Sequence, residues 1–153
     1  MWPTLLTTTS LVGAGIQAGA LLMFLYGVCP TLRALDVPSW MRLHVSLDRS
    51  IERYMPALNL VTGGSTVILL FLAQDDLARW LRGLALACNI GLALISELAN
   101  VRLNKVIASR SQSGQTEAMA EVRARWITWH GRRTAVISVG FLAYVAALLV
   151  ETA

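Results

Sequence analysis

The chain has 153 residues, 56% of them hydrophobic and 14% charged, with a mean hydropathy of +0.59. Soluble domains run about 45–50% apolar and about 25% charged, so this composition excludes an ordinary water-soluble domain and indicates a membrane protein. The net charge of +4 is read as a topology signal, because apolar runs fill most of the chain; a nucleic-acid partner is rejected and the lipid bilayer is the expected one.

The opening "MWPTLLTTTS" lacks a basic n-region, so no removable signal peptide is expected. Residues 5–28 form a first apolar run, ended by Pro30. It is long enough to span, since crossing the hydrocarbon takes about 20 residues as a helix. Gly15, Ala18 and Gly19 sit on it at helical spacing. Small residues let helices approach closely. That serves packing within one bundle, or a homo-oligomer seam through Gly15 and Gly19. Gln17 is a mid-span polar residue and is expected to face the bundle interior. Thr7, Thr8, Thr9 and Ser10 can bond to their own backbone.

Residues 39–55, "SWMRLHVSLDRSIERYM", read as an amphipathic helix. Trp40, Leu43, Leu47, Ile51 and Tyr54 recur every three or four positions. His44 borders that apolar face. Asp48 and Glu52 follow it at i+4 and i+8, drifting toward the polar side, where ordinary surface charges belong. Three further apolar runs follow at 57–73 (after Pro56), 81–98 and 134–150. No alternating strand pattern competes, and a backbone in lipid must satisfy its own hydrogen bonds. The expected fold is all-α, a single membrane domain (1–153) built as a four-transmembrane-helix bundle, with the amphipathic segment before helix 2. The polar stretch "SRSQSGQ", 109–115, reads as a short loop.

Four spans put both termini on one side. Of 13 lysines and arginines only Arg79 and Arg82 share that side. The side holding the other basic residues is expected to be cytoplasmic, with both termini non-cytoplasmic. Cys29 and Cys88 fall at different depths and are read as packing residues rather than a disulfide.

Polar residues gather at the basic ends of the spans. Glu97, Asn100 and Asn104 lie at i, i+3 and i+7, one stripe at about 100° per residue, and Asn89 falls on the same face. A carboxylate and amides at the end of a span are costly unless they face protein or a wet cavity. The last span opens with "WITWHGRR", 126–133. Here Trp126, His130 and Arg133 form a second stripe. Arg125, Trp129 and Arg132 project away and are explained as interface anchors. The third span exits where the fourth enters, and the His44 helix is on the same side. Glu97, Asn100, Asn104, His130, Arg133 and His44 are therefore expected around one pocket at the cytoplasmic mouth of the bundle. The cofactor is open between none and an iron or copper ion. His44, His130 and Glu97 would be the candidate ligand set, two histidines and a carboxylate.

Three stretches in this order resemble the anthrone oxygenase-like family of small integral membrane proteins: "FLYGVCP", "ELANVRLNKV" and "WITWHGRR". Asn100, Asn104, Trp126, His130 and Arg133 match the family's motif positions; Glu97 and His44 are added from facing and topology. The resemblance implies a four-helix membrane protein that oxidises an aromatic, lipophilic substrate with oxygen. Such chemistry needs a base near neutral pKa, for which His130 is the candidate, assisted by Glu97. It needs a cation or donor for an oxyanion, for which Arg133 and Asn100 or Asn104 are the candidates. Asn100, Asn104, Trp126 and His44 would bind the substrate. The other reading is a non-catalytic membrane module that binds a small ligand or lipid, or a structural subunit of a membrane complex, in which the polar stripes hold helices together. A transporter is the weakest reading, since no span is broken.

Overall fold

The computed structural model describes residues 2–51 and 53–152, so the reading of Glu52 falls outside the described residues. These are helical almost throughout. In chain order they are α1 (Trp2–Met23), a first π turn (Phe24–Val28), α2 (Cys29–Ala34), α3 (Val37–Ile51), α4 (Met55–Leu72), α5 (Asp76–Ile95), a second π turn (Ser96–Asn100), α6 (Val101–Ser113) and α7 (Met119–Thr152). Four continuous helices, Trp2–Ala34, Met55–Leu72, Asp76–Ser113 and Met119–Thr152, are long and apolar enough to cross a membrane. The protein is an integral membrane four-helix bundle. Neighbours follow the ring α1–α4–α5–α7, with α7 closing back on α1 and packing most extensively on α5. The amphipathic α3 lies against α6 at the basic end.

The outward faces are apolar, as lipid requires: Phe71 is 85% exposed, Trp80 79% and Leu60 76%. The interior is small and polar. Gln17 is buried, donates to Thr62 Oγ1 at 3.2 Å and accepts from Asn59 at 3.0 Å. Thr66 and Tyr144 share a hydrogen bond at 2.6 Å. Gly140 permits the α5–α7 contact, since a Cβ there would lie 2.8 Å from Cys88 Cβ. Gly15 faces Phe141 of α7 within the chain, while a Cβ on Gly19 meets nothing within 4 Å. Cys29 and Cys88 are free and buried.

Boundaries differ from the sequence reading in three places. Pro30 does not end the first helix. It follows the π turn, whose Cys29 N–H bonds to the Phe24 carbonyl, and the chain continues helically to Ala34; the wider turn accommodates a proline, which can neither donate to nor pack its ring against the carbonyl four residues back. The third span extends through the second π turn, where Val101 N–H bonds to the Ser96 carbonyl. Most of the expected loop at 109–115 is helical too, and the stop comes at Gly114, in the left-handed region with φ of 69°. Glycine accepts that conformation without a Cβ clash. Asp36 and Asp75 cap the helices that follow them, accepting from Ser39 N at 3.0 Å and Ala78 N at 2.8 Å.

Candidate functional site

The 126–133 stretch splits by face as its spacing predicts. Trp126 and His130 are buried, and Arg133 shares their face and is largely buried. Arg125 and Arg132 are exposed, and Arg132 lies over the Trp129 ring at 4.4 Å, an interfacial pair. Trp126 stands between the two histidines. It stacks on His130 at 5.1 Å with 13° between planes, and meets His44 edge-on at 4.6 Å.

Both ring nitrogens of His130 are engaged. A carbonyl can only accept, so Nε2 carries a proton and donates to Leu21 O at 3.2 Å. Nδ1 is then a bare acceptor. Arg133 fills it, with Nη2 at 2.9 Å and Nε at 3.3 Å. Arg133 also donates to Ser96 Oγ at 3.4 Å. Its guanidinium forms no ion pair within 4.0 Å among the described residues. A cation held by a neutral imidazole and a hydroxyl at the end of a membrane helix is an unusual arrangement for mere anchoring.

Asn104 is the hub on the facing side. Its Oδ1 accepts from Trp126 Nε1 at 2.7 Å and its Nδ2 donates to Asp48 Oδ1 at 2.5 Å. An indole can only donate and a carboxylate accepts, so the amide orientation is fixed chemically. His44 Nε2, 3.1 Å from the same Oδ1, must therefore donate. Burial holds the His44 imidazole pKa below its ordinary 6.5, which favours the neutral ring with its proton on Nε2. Asn100 donates weakly to Trp126 O at 3.4 Å, and its buried Oδ1 has no partner among the described residues.

Structure and sequence disagree on three points. Glu97 is exposed, with no hydrogen bond or ion pair among the described residues, and does not join Asn100 and Asn104. The second π turn starts one residue before it and inserts an extra residue, which slips the helical phase by about 100°. For the same reason Asn89 faces α4, beside Gly63, while Asn100 faces α7. The His44–His130–Glu97 ligand set is not assembled: Trp126 separates the histidines, His130 has no free nitrogen, and no group of three or more His, Cys, Asp or Glu among the described residues fits a metal ion. An iron or copper ion does not fit these residues. Finally, at the basic end a cavity of about 140 Å³ lies between α3 and the end of α6, lined by Met41, Arg42 and Arg110 rather than by these side chains. A larger cavity of about 590 Å³ opens at the end holding the termini.

Two contributors escaped the sequence reading. Phe24, delivered by the first π turn, packs on Trp126 at 5.8 Å and His130 at 5.1 Å. Arg123, three positions before Trp126, donates to Leu32 O at 2.9 Å and Leu35 O at 2.8 Å, tying the end of α2 to α7. Such a contact spans 88 or more positions and has no local signature.

No curated protein and no solved structure matches the chain. The family model described as anthrone oxygenase matches residues 43–143, which is more than half of the chain and contains His44, Asn100, Asn104, Trp126, His130 and Arg133. With four helices long and apolar enough to cross a membrane and this match over residues 43–143, the chain belongs to the anthrone oxygenase family of membrane proteins.

Proposed function

We propose that the protein is a membrane oxidoreductase that uses molecular oxygen to convert the acidic methylene of a lipophilic aromatic ketone, an anthrone or a close analogue, into a carbonyl. The reaction takes place at the basic, cytoplasm-facing end of the bundle. The observation that carries this reading is the His130–Arg133 clamp: a neutral imidazole of fixed tautomer whose only lone pair is held by a guanidinium that makes no ion pair within 4.0 Å among the described residues.

Substrate enters beside Trp126 as α3 moves aside and His44 and Asp48 leave Asn104. Arg133 turns from Nδ1 to the substrate carbonyl oxygen. That motion frees Nδ1, which takes a proton from the methylene. The carbanion delocalises as an enolate whose oxygen is held by Arg133 and the Asn104 amide. The Leu21 carbonyl, already bonded to Nε2–H, steadies the imidazolium that forms. The coupling is the essential feature: His130 becomes a base only when Arg133 has an oxyanion to hold. The carbanion gives an electron to oxygen and the two radicals combine, forming the C–O bond. Loss of the second methylene proton with O–O cleavage completes the carbonyl. One oxygen atom stays in the product and the other leaves as water, so no external reductant is needed. Asn100 Oδ1, buried without a hydrogen-bond partner among the described residues, is an acceptor for a substrate hydroxyl.

Oxygen uptake by protein in nanodiscs supplied with an anthrone tests this. His130→Ala and Arg133→Ala each lower turnover by about 100-fold or more, with helical content unchanged. Undiminished turnover in both variants overturns the assignment. The full satisfaction of both His130 ring nitrogens also favours a second reading, a non-catalytic module pinned by this network. There, wild-type protein shows no substrate-dependent uptake and His130→Ala lowers only thermal stability.

A further inference from the structure

The cavity at the terminal end is separate from the His130 cluster. All four spanning helices line it, among them Thr4 and Thr7 of α1, Leu69 of α4, Arg82 of α5, and Leu148 and Glu151 of α7. Its volume of about 590 Å³ lies in the range of ligand pockets, about 300–1,000 Å³. We propose that it binds a neutral, lipophilic molecule through a carbonyl oxygen, with Arg82 as the recognising donor.

Charge decides the ligand class. Arg82 is only 4% exposed, and Glu151 Oε2 sits 2.5 Å from its Nη2. The pair is neutral as a unit, and the other carboxylate on the lining, Asp75, accepts from Ala78 N as a helix cap, so the wall carries no surplus positive charge for an anion. An anionic ligand would compete with Glu151 for the guanidinium, and a cationic one would compete with Arg82 for the carboxylate. Hydrogen-bonding capacity then decides the functional group. Both side-chain bonds of Arg82, to Glu151 and to Thr7 Oγ1 at 3.4 Å, leave from Nη2. A guanidinium has five N–H donors. Among the described residues Nε and Nη1 make no hydrogen bond, and Arg82 lines the cavity. The site thus offers strong donors in a wall that mixes leucines with threonine hydroxyls, Gln74 and the carboxylates Asp75 and Glu151, which suits an acceptor without charge.

This site does not rest on the oxidoreductase reading, because the test measures binding and not turnover. The probe is benzophenone, a neutral diaryl ketone that cross-links to adjacent C–H bonds under ultraviolet light. Protein in nanodiscs is irradiated with it and the adducts are mapped by peptide mass spectrometry. Saturable labelling is expected within residues 69–72 or 148–152. Diphenylmethane, with the same rings and no carbonyl, competes about tenfold less well, the order expected from one hydrogen bond to a charged donor. Leu148→Trp, which fills the cavity and leaves the ion pair intact, lowers saturable labelling about tenfold. Labelling that does not saturate and spreads over the lipid-facing helices overturns the proposal. So does equal competition by diphenylmethane, or undiminished labelling in Leu148→Trp. If that variant fails to fold, the competition measurement on wild-type protein decides alone.

Discussion

Replacing Asn104 by leucine removes the hub of the basic-end network with little change in volume. Three bonds disappear: from Trp126 Nε1 at 2.7 Å, from His44 Nε2 at 3.1 Å, and to Asp48 at 2.5 Å. Interhelical hydrogen bonds in membrane proteins average only about 0.6 kcal/mol, which sets a floor near 2 kcal/mol for three. The stranded partners cost more. Trp126 is 4% exposed and His44 3%, so both N–H groups stay dry, and each unsatisfied buried donor costs about 1–3 kcal/mol. Asp48 is half-buried and can turn toward water. The expected loss is about 2–6 kcal/mol. At roughly 2–4 °C per kcal/mol for a chain of this size, the unfolding midpoint in detergent falls by roughly 5–20 °C. Circular dichroism at 222 nm follows it. Trp126→Phe in the same background removes one stranded donor, so the double variant loses about 1 kcal/mol less than the sum of the singles. A midpoint shift below about 2 °C, or strict additivity, refutes the hub.

Gly140→Ala forces a methyl against Cys88 at the closest contact of α5 and α7; overpacking of this kind costs about 1–3 kcal/mol, visible as a lower unfolding midpoint. Gly19→Leu adds bulk where the chain itself has nothing within 4 Å, so the monomer's midpoint holds. If a second copy packs there, native mass spectrometry records a loss of oligomer, and an unchanged mass distribution removes Gly19 from any seam. His44 supplies a pH signature. Its folded-state pKa is depressed below 6.5 by burial, so the unfolded chain binds the proton more readily. Stability is therefore full above about pH 6.5 and is lost as pH falls through that value toward the folded pKa. His44→Gln, which keeps a donor for Asn104, flattens the decline in midpoint between pH 7.5 and 5; an unflattened decline excludes His44 as its source.

Apolar run length, polarity and periodicity located what depends on straight helices. The four spans follow from the length of their apolar runs, the inward turn of Gln17 from its polarity at mid-span, and the split of 126–133 into a buried and an interfacial face from a constant 100° per residue. Topology then brought α3, α6 and α7 to one level, which is why His44, Asn104 and Trp126 meet. The failures share a cause. Glu97 and Asn89 were projected through residues 96–100 as if the helix were regular, and an inserted residue there breaks the projection. Local sequence marks a π turn poorly, because it is decided by what packs on either side. The cavity at Arg82 has no local signature either: its lining residues lie far apart in sequence, and the partner of the buried Arg82, Glu151, is 69 positions away.

Both π turns lie at the depth of the candidate site, and that coincidence is itself an argument. The first delivers Phe24 onto the Trp126 and His130 rings. The second delivers Ser96 to Arg133 and Asn100 to the Trp126 carbonyl. A π turn is an inserted residue that weakens the local helix, and such turns concentrate at functional sites. Two of them on separate helices converge on the same three residues of α7. Removing one insertion separates fold from function. Leu98 is 58% exposed and lies inside the second π turn. Deleting it restores a continuous α-helix while both flanks keep their facing, so Asn89 stays against α4 and Asn104 against Trp126. The deletion variant should therefore retain its helical content and unfold within a few degrees of wild type. Only Ser96 and Asn100 change position relative to Arg133 and Trp126. A misplacement of about 1 Å at a reacting geometry costs on the order of 100-fold in rate, so oxygen uptake with an anthrone should fall by that order. Retained uptake makes the second π turn a packing feature. Collapse of the helical content shows that the flanking registers were not preserved, and refutes the account of residues 96–100 as one insertion in an otherwise regular helix.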